Sequence, residues 1–170
     1  MENIIKKSEI QIQRDFFTRC FNELPQTRNC IFHVANEAKR TEIEWSQLKA
    51  SGFRRGIQDM PFIWNGSLFM IEFKTPDGKI DPYQKAVHCA HGRQGIMTWV
   101  FRDGNTAFEF ASAIVDGMGS YDFKEYISPY SLRPDMYSIF ALEAKQSDCK
   151  HKGSPCGKCG WIKGTKLTTL

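Results

Sequence analysis

Residues 56–85 read GIQDMPFIWNGSLFMIEFKTPDGKIDPYQK, and the fold turns on how this run pairs with itself. Asn65-Gly66 between two apolar runs is the strongest short-range signal for a β-hairpin closed by a two-residue type I′ turn. With those two residues at the turn, Trp64 faces Ser67, and counting outward sets Asp59 opposite Glu72. Alternation places Leu68, Met70, Glu72 and Lys74 on one face of the second strand, and Phe69, Ile71 and Phe73 on the other. Two carboxylates and an ammonium therefore converge at the open end of the hairpin. Like charges directly opposite on a sheet destabilise it, because side chains there approach to about 4.5–5.5 Å. A divalent cation is the simplest offset, since Mg²⁺ is held by one or two carboxylates plus waters and phosphate oxygens. The plain alternative is two solvated carboxylates at strand ends, one of them bridged by Lys74.

The flanking segments supply the rest of a layered domain. Ser8 caps a helix that runs to about Leu24 and is stopped by Pro25, with Ile12, Phe16, Phe17, Cys20, Phe21 and Leu24 on its apolar face. Cys30 to Val34 reads as a buried strand. A second helix spans Thr41 to Ala50 with a modest stripe of Ile43, Trp45 and Leu48, and closes at Gly52. Past the hairpin, Asp81 caps a third helix with Pro82 at its first position. His88 and His91 on that helix have no third ligand beside them in sequence and read as surface histidines. Ile96 to Phe101 is nearly all apolar, a central or buried strand, and a fourth helix covers Thr106 to Val115. The expected architecture is α/β, a mixed four-stranded sheet with helices on both sides. Residues 1–116 form this core. Residues 117–148 are a packing arm in which Met136 to Leu142 is a strand, a helix or neither, and residues 149–170 are a separate tail.

Composition sets the outer bounds. A chain of 170 residues with 41% hydrophobic and 25% charged residues is long enough for one well-filled core. The formal net charge of +4 suits a polyanionic partner without demanding one. No apolar run approaches the ~18 residues of a membrane span, and the first residues lack the pattern of a signal peptide. An intracellular, cytoplasmic protein with no membrane partner is expected. Of six cysteines, Cys20, Cys30 and Cys89 lie singly in apolar or amphipathic segments and read as free thiols.

The quoted run resembles the PD-(D/E)XK nucleases, and within them the small virus-type replication-repair nuclease domain, VRR-NUC. The matching elements are G-I-Q-D-M at 56–60, I-E-F-K at 71–74 with Glu72 thirteen residues after Asp59, and D-P-Y-Q-K at 81–85. E-I-Q at 9–11 and N-E-A-K-R at 36–40 match upstream, so the resemblance covers roughly Ser8 to Ile114. Gln58 stands where the family usually has proline, and E-F-K where it often has E-V-K. The resemblance implies a restriction-endonuclease-like core hydrolysing DNA phosphodiesters with Mg²⁺ or Mn²⁺. Asp59 and Glu72 would hold the metal with the backbone carbonyl of Phe73, and Glu9 is a possible further ligand. Glu9 is otherwise a first-turn carboxylate favoured by the helix dipole. Lys74 would orient the attacking water or stabilise phosphorane charge, and Gln84 would hydrogen-bond that water or Lys74. Without the family, Gln84 is an exposed first-turn glutamine. Arg40, Arg54, Arg55 and Lys85 are candidates for phosphate contact; the Arg54-Arg55 pair reads equally as a solvated loop. Stand-alone members of the family imply branched, Holliday-junction-type substrates cut by a homodimer. A nicking, flap or sequence-specific nuclease is the alternative within the class. A non-catalytic DNA-binding or recruitment module is the alternative outside it.

The tail carries a second cluster. Cys149, His151, Cys156 and Cys159 offer four soft or borderline ligands within eleven residues, which suits a closed structural Zn²⁺ site. Free thiols are the other reading. Lys145, Lys150, Lys152, Lys158, Lys163 and Lys166 surround the cluster and suit phosphate contacts or solubility. Trp161 either stacks on a base or covers the metal.

Overall fold

The computed structural model describes residues 7–35, 41–117 and 121–133. Four helices, a short fifth and three strands follow in chain order. Helix α1 is Glu9–Glu23, α2 is Glu42–Ala50, strands β1 and β2 are Met60–Trp64 and Ser67–Phe73, and α3 is Pro82–Arg93. Strand β3 is Thr98–Phe101, α4 is Gly104–Val115 and α5 is Pro129–Leu132. The first three helices start where the sequence places a cap. Ser8, Thr41 and Asp81 each accept from the backbone one turn in, while Gln11, Glu44 and Gln84 return the bond as capping boxes. Asp103 caps α4, which starts at Gly104, two residues before the expected start.

The hairpin register is the expected one. Trp64 pairs with Ser67 and Met60 with Ile71, so Asp59 lies one step beyond the ladder, across from Glu72. Asn65 and Gly66 both have positive φ, 47° and 74°, as a type I′ turn requires. β2 then pairs in parallel with β3 through the α3 crossover that parallel strands need, giving the order β1-β2-β3. β2 is the central strand, and the 96–101 segment, expected to be central or buried, supplies a buried one. β3 lies at the sheet edge, yet its outer side is covered by a Trp99–Ile127 bridge and by Ser128 N–H donating to the Thr98 carbonyl at 2.8 Å.

The sheet is mixed and has three strands among the described residues, not four. The expected strand at 30–34 does run beside β1. Ile31 bridges Phe62, and Val34 N–H donates to the Asp59 carbonyl at 2.9 Å. It contributes an isolated bridge because its first residues are still engaged in the turn after α1, with both Cys30 and Ile31 N–H bonded to Thr27.

The two faces of the sheet are chemically different. On one, Phe62, Ile71, Phe73, Trp99 and Phe101 pack with Ile12, Phe16 and Cys20 of α1 and with Phe108, Phe110 and Ile114 of α4. Phe17 and Phe21 of the expected α1 face stay partly exposed. On the other face, α3 covers Met70, Glu72 and Thr98, and much of what is buried there is polar. Helix α2 buries no residue; Ile43 is exposed, and Trp45 meets Phe53 edge-on at 5.3 Å. No described helix is long and apolar enough to cross a membrane.

Residues 121–133 complete the core rather than stand apart from it. Phe123, Tyr126 and Ile127 pack against the aromatic cluster, and Ser131 Oγ accepts from Thr98 N–H at 3.2 Å. Helix α5 seats directly on Gly92 of α3, where a Cβ would lie 2.3 Å from the Ser131 carbonyl oxygen. Gly92→Ala is therefore expected to lower stability by about 2–3 kcal/mol, as overpacking does, read by urea denaturation. Unchanged stability would mean that the arm moves aside freely. The Met136 to Leu142 segment and the 149–170 tail with its zinc candidates lie outside the described residues.

Candidate active site

The site gathers at the end of β2 where the hairpin opens. Asp59 arrives on the approach to β1, with its backbone fixed by Val34 and its carboxylate Oδ2 accepting from the Phe73 N–H at 2.8 Å. Phe73 thus enters the site through its amide, where a role had been expected for its carbonyl. Glu72 is fully buried. Its Oε1 accepts from Lys74 Nζ at 2.5 Å and from Gln84 Nε2. Lys74 also reaches Glu9 Oε2 at 3.4 Å, and Glu9 Oε1 accepts from the Thr75 N–H at 3.3 Å. Gln84 is oriented by its own helix cap, because its Oε1 is held by the Asp81 N–H at 3.0 Å and only Nε2 is left to face Glu72. Asp59, Glu72, Lys74, Gln84 and Glu9, spread over 76 positions of sequence, therefore meet in one place.

Burial, followed by the Asp59 charge, pushes the Glu72 carboxyl up to about 8, against the pull of Lys74. Burial alone would lower the Lys74 ammonium. The charge and hydrogen bond of Glu72, with Glu9 and Asp59 behind them, hold it above its ordinary value instead. Lys74 is thus a cation at neutral pH, suited to donate and to stabilise negative charge and unsuited to act as a base. The expected repulsion between the carboxylates is met within the chain by that ammonium, by the Phe73 amide, and by the raised affinity of Glu72 for a proton.

Two features bear on a metal. Glu72 Oε2 is buried with no hydrogen-bond partner, an acceptor left open in a place where that is costly. Asp59 and Glu72 supply hard oxygen donors, the kind Mg²⁺ and Mn²⁺ take. Among the described residues, however, no three His, Cys, Asp or Glu side chains are already grouped to hold a metal ion. The trio of Glu9, Asp59 and Glu72 is not assembled because the Lys74 ammonium stands between Glu9 and Glu72. The residues fit a two-carboxylate site completed by water and phosphate.

Structure adds residues that sequence reading missed. Arg102, just past β3, donates through Nη1 to the carbonyls of Thr75, Pro76 and Gly78 at 2.5, 3.2 and 2.9 Å, pinning the loop that leaves Lys74. No local pattern announces that clamp. Arg102→Ala is expected to cost about 1–2 kcal/mol and to speed amide exchange at Gly78, whose N–H bonds Thr75. Exchange unchanged at Gly78 would show the clamp to be idle. Gly56, at φ +86°, lies so close to α3 that a Cβ would be 2.7 Å from the Gln84 nitrogen. The G-I-Q-D run is thereby pressed onto the helix end that carries Gln84.

The expected phosphate contacts fare unevenly. Arg55 stacks on the Tyr83 ring at 4.4 Å, beside the α3 N-terminus, and Arg54 is exposed. Lys85 sits 5.1 Å from the Tyr130 ring, turned to the arm. Arg40 lies outside the described residues. His88 is not a surface residue: it is fully buried, its Nδ1 bonded to Ser128 Oγ at 2.8 Å, and burial lowers its pKa to about 4. The arm that covers it could not be read from the helix alone. No protein-family model, curated protein or solved structure matches this chain.

Proposed function

We propose that this chain is a metal-dependent DNA endonuclease with a PD-(D/E)XK, VRR-NUC-like core of the restriction-endonuclease kind. The observation that carries the reading is the meeting of Asp59, Lys74 and Gln84 at the buried Glu72 carboxylate, whose Oε1 accepts from Lys74 and Gln84 while its Oε2 has no partner. A surface that only bound DNA would gain nothing from two acids facing phosphates. The motif order 56–85, which resembles the family, supports the same conclusion from the sequence side.

Asp59 and Glu72 would hold Mg²⁺ or Mn²⁺, with Glu9 in reach of the site through Lys74. When bound, the ion supplies the positive charge that acidifies water and polarises the scissile phosphate. Lys74 donates toward the developing charge on phosphorus. Gln84, locked by the helix cap, orients Glu72, and the Arg102 clamp keeps Thr75 and its N–H on Glu9. Arg54 and Arg55 flank the approach and are suited to the DNA backbone. Branched DNA of the Holliday-junction type is the proposed substrate and a homodimer the proposed working form, since two symmetric cuts need two sites. A structural Zn²⁺ held by Cys149, His151, Cys156 and Cys159, and a cytoplasmic setting, complete the proposal.

The test is incubation with Mg²⁺ or Mn²⁺ and a panel of junction, flap, duplex and single-stranded DNA. Cleavage of branched DNA is expected. Binding without cleavage in either metal would sink the enzyme reading in favour of a recruitment module, and cutting of duplex at one sequence would point to a restriction-like role.

A further inference from the structure

Gln58, the residue before Asp59, is fully buried, a position where an apolar side chain would be the default. Its Nε2 lies 2.7 Å from Thr98 Oγ1 and 3.2 Å from His91 Nδ1. One carboxamide thus ties together the approach to β1, the strand β3, and α3 two turns beyond Gln84. Thr98 is itself held on both sides by the arm, through Ser131 Oγ and the Ser128 N–H, so the tie ends on a fixed post. Meanwhile Gln58 Oε1 is buried with no hydrogen-bond partner. A buried amide with an orphan acceptor is a poor stabiliser, because the desolvation of that oxygen offsets what its other bonds contribute. Its return must be in geometry rather than in stability.

We propose that Gln58 is a positioning residue that sets where the Asp59 carboxylate stands relative to Glu72 and Gln84, and so tunes metal binding. The proposal rests on the metal-dependent reading of the site. Glu72 sits on β2, whereas Asp59 lies one residue beyond the last ladder pair, outside β1. Sheet pairing alone does not hold it. The Phe73 amide fixes one carboxylate oxygen and Val34 the backbone; the Gln58 tie fixes the chain immediately upstream. Supporting groups of this kind commonly change metal affinity by about 10–100-fold when removed.

The test uses Gln58→Leu, and Thr98→Val as a second variant that keeps shape but removes the hydroxyl partner. Mn²⁺ binding is measured by calorimetry on the whole chain without DNA, beside the Mn²⁺ concentration that half-saturates cleavage. Both variants are expected to raise the Mn²⁺ Kd about tenfold or more, with the half-saturating concentration rising in parallel. The rate at saturating Mn²⁺ should fall by less. Thermal stability should fall little in Gln58→Leu, where the lost bonds are offset by the lost orphan, and further in Thr98→Val, which leaves the carboxamide buried without its hydroxyl partner. Wild-type Mn²⁺ affinity in the variants, with only a lowered Tm, would overturn the proposal and leave Gln58 a packing residue. If Gln58→Leu fails to fold, Thr98→Val decides. A wild-type protein that binds no Mn²⁺ would overturn the metal reading and this inference with it, whereas unchanged affinity in both variants overturns this inference alone.

Discussion

Lys74→Ala is expected to slow cleavage by about 10²–10³-fold, the loss typical of removing one preorganised donor from a transition state. DNA binding, measured in Ca²⁺, should persist, because Lys74 is 6% exposed and contacts Glu72 and Glu9 rather than the surface. The structural consequence is more subtle than a broken ion pair. Removing one partner of a buried pair usually costs about 3–5 kcal/mol, since the other charge is left uncompensated. Burial and Asp59 already raise the proton affinity of Glu72 against the pull of Lys74, so without Lys74 it holds a proton and the cost should be smaller. Lys74→Arg should not restore the rate, because a planar fork replaces a compact point charge in a closed space. Cleavage by Lys74→Ala at near the wild-type rate would remove Lys74 from the chemistry.

Metal binding should release a proton. Burial and the Asp59 charge push the Glu72 carboxyl up to about 8 from an ordinary 4.5, so a proton competes with a divalent ion for that carboxylate near neutral pH. The apparent Mn²⁺ Kd should then fall about tenfold per unit as pH rises towards 8 and level off above it. Calorimetry in buffers of different ionisation enthalpy should find a proton released on binding near neutral pH and fewer at pH 9. An affinity independent of pH would contradict the site as drawn. The same shift has a sign for stability. Because the folded pKa of Glu72 is raised, its contribution is complete below about 4.5 and is lost as pH rises through about 8. The metal-free protein therefore weakens over that window, Glu72→Gln removes the slope, and Mn²⁺ stabilises more at pH 8 than at pH 6. His88 acts oppositely. Its pKa is lowered to about 4, so its contribution is present above 6.5 and lost as pH falls through about 4.

Much of this site was legible as sequence. Asn65-Gly66 allows only a narrow family of turns, and the two-residue period of a strand then fixes that Asp59 faces Glu72 and that Glu72 and Lys74 share a side. The caps Ser8 and Asp81 were equally readable, since a cap is a bond between residues three apart, whereas Thr41, expected as the first residue of its helix, caps it instead. Gln84 was readable as a first-turn residue, but its aim at Glu72 follows from the cap that occupies its other end. What these features have in common is that local geometry is enough to specify them.

Contacts between distant elements were not specified that way. Glu9 meets Thr75, Arg102 holds the 75–78 loop, Gln58 crosses to Thr98, and His88 is roofed by Ser128. Each depends on how helices and strands pack, which a periodic pattern does not encode. The expected fourth strand failed for the same reason, its first residues being held by a turn bond to Thr27. For the hairpin, the amino-acid order alone determined which residues face one another. Packing determined their state: burial under α3 raised Glu72, the Lys74 ammonium separated it from Glu9, and the fold left one carboxylate oxygen unsatisfied. Facing is set by a two-residue repeat along one strand pair, whereas charge and solvation are set by everything that closes over it.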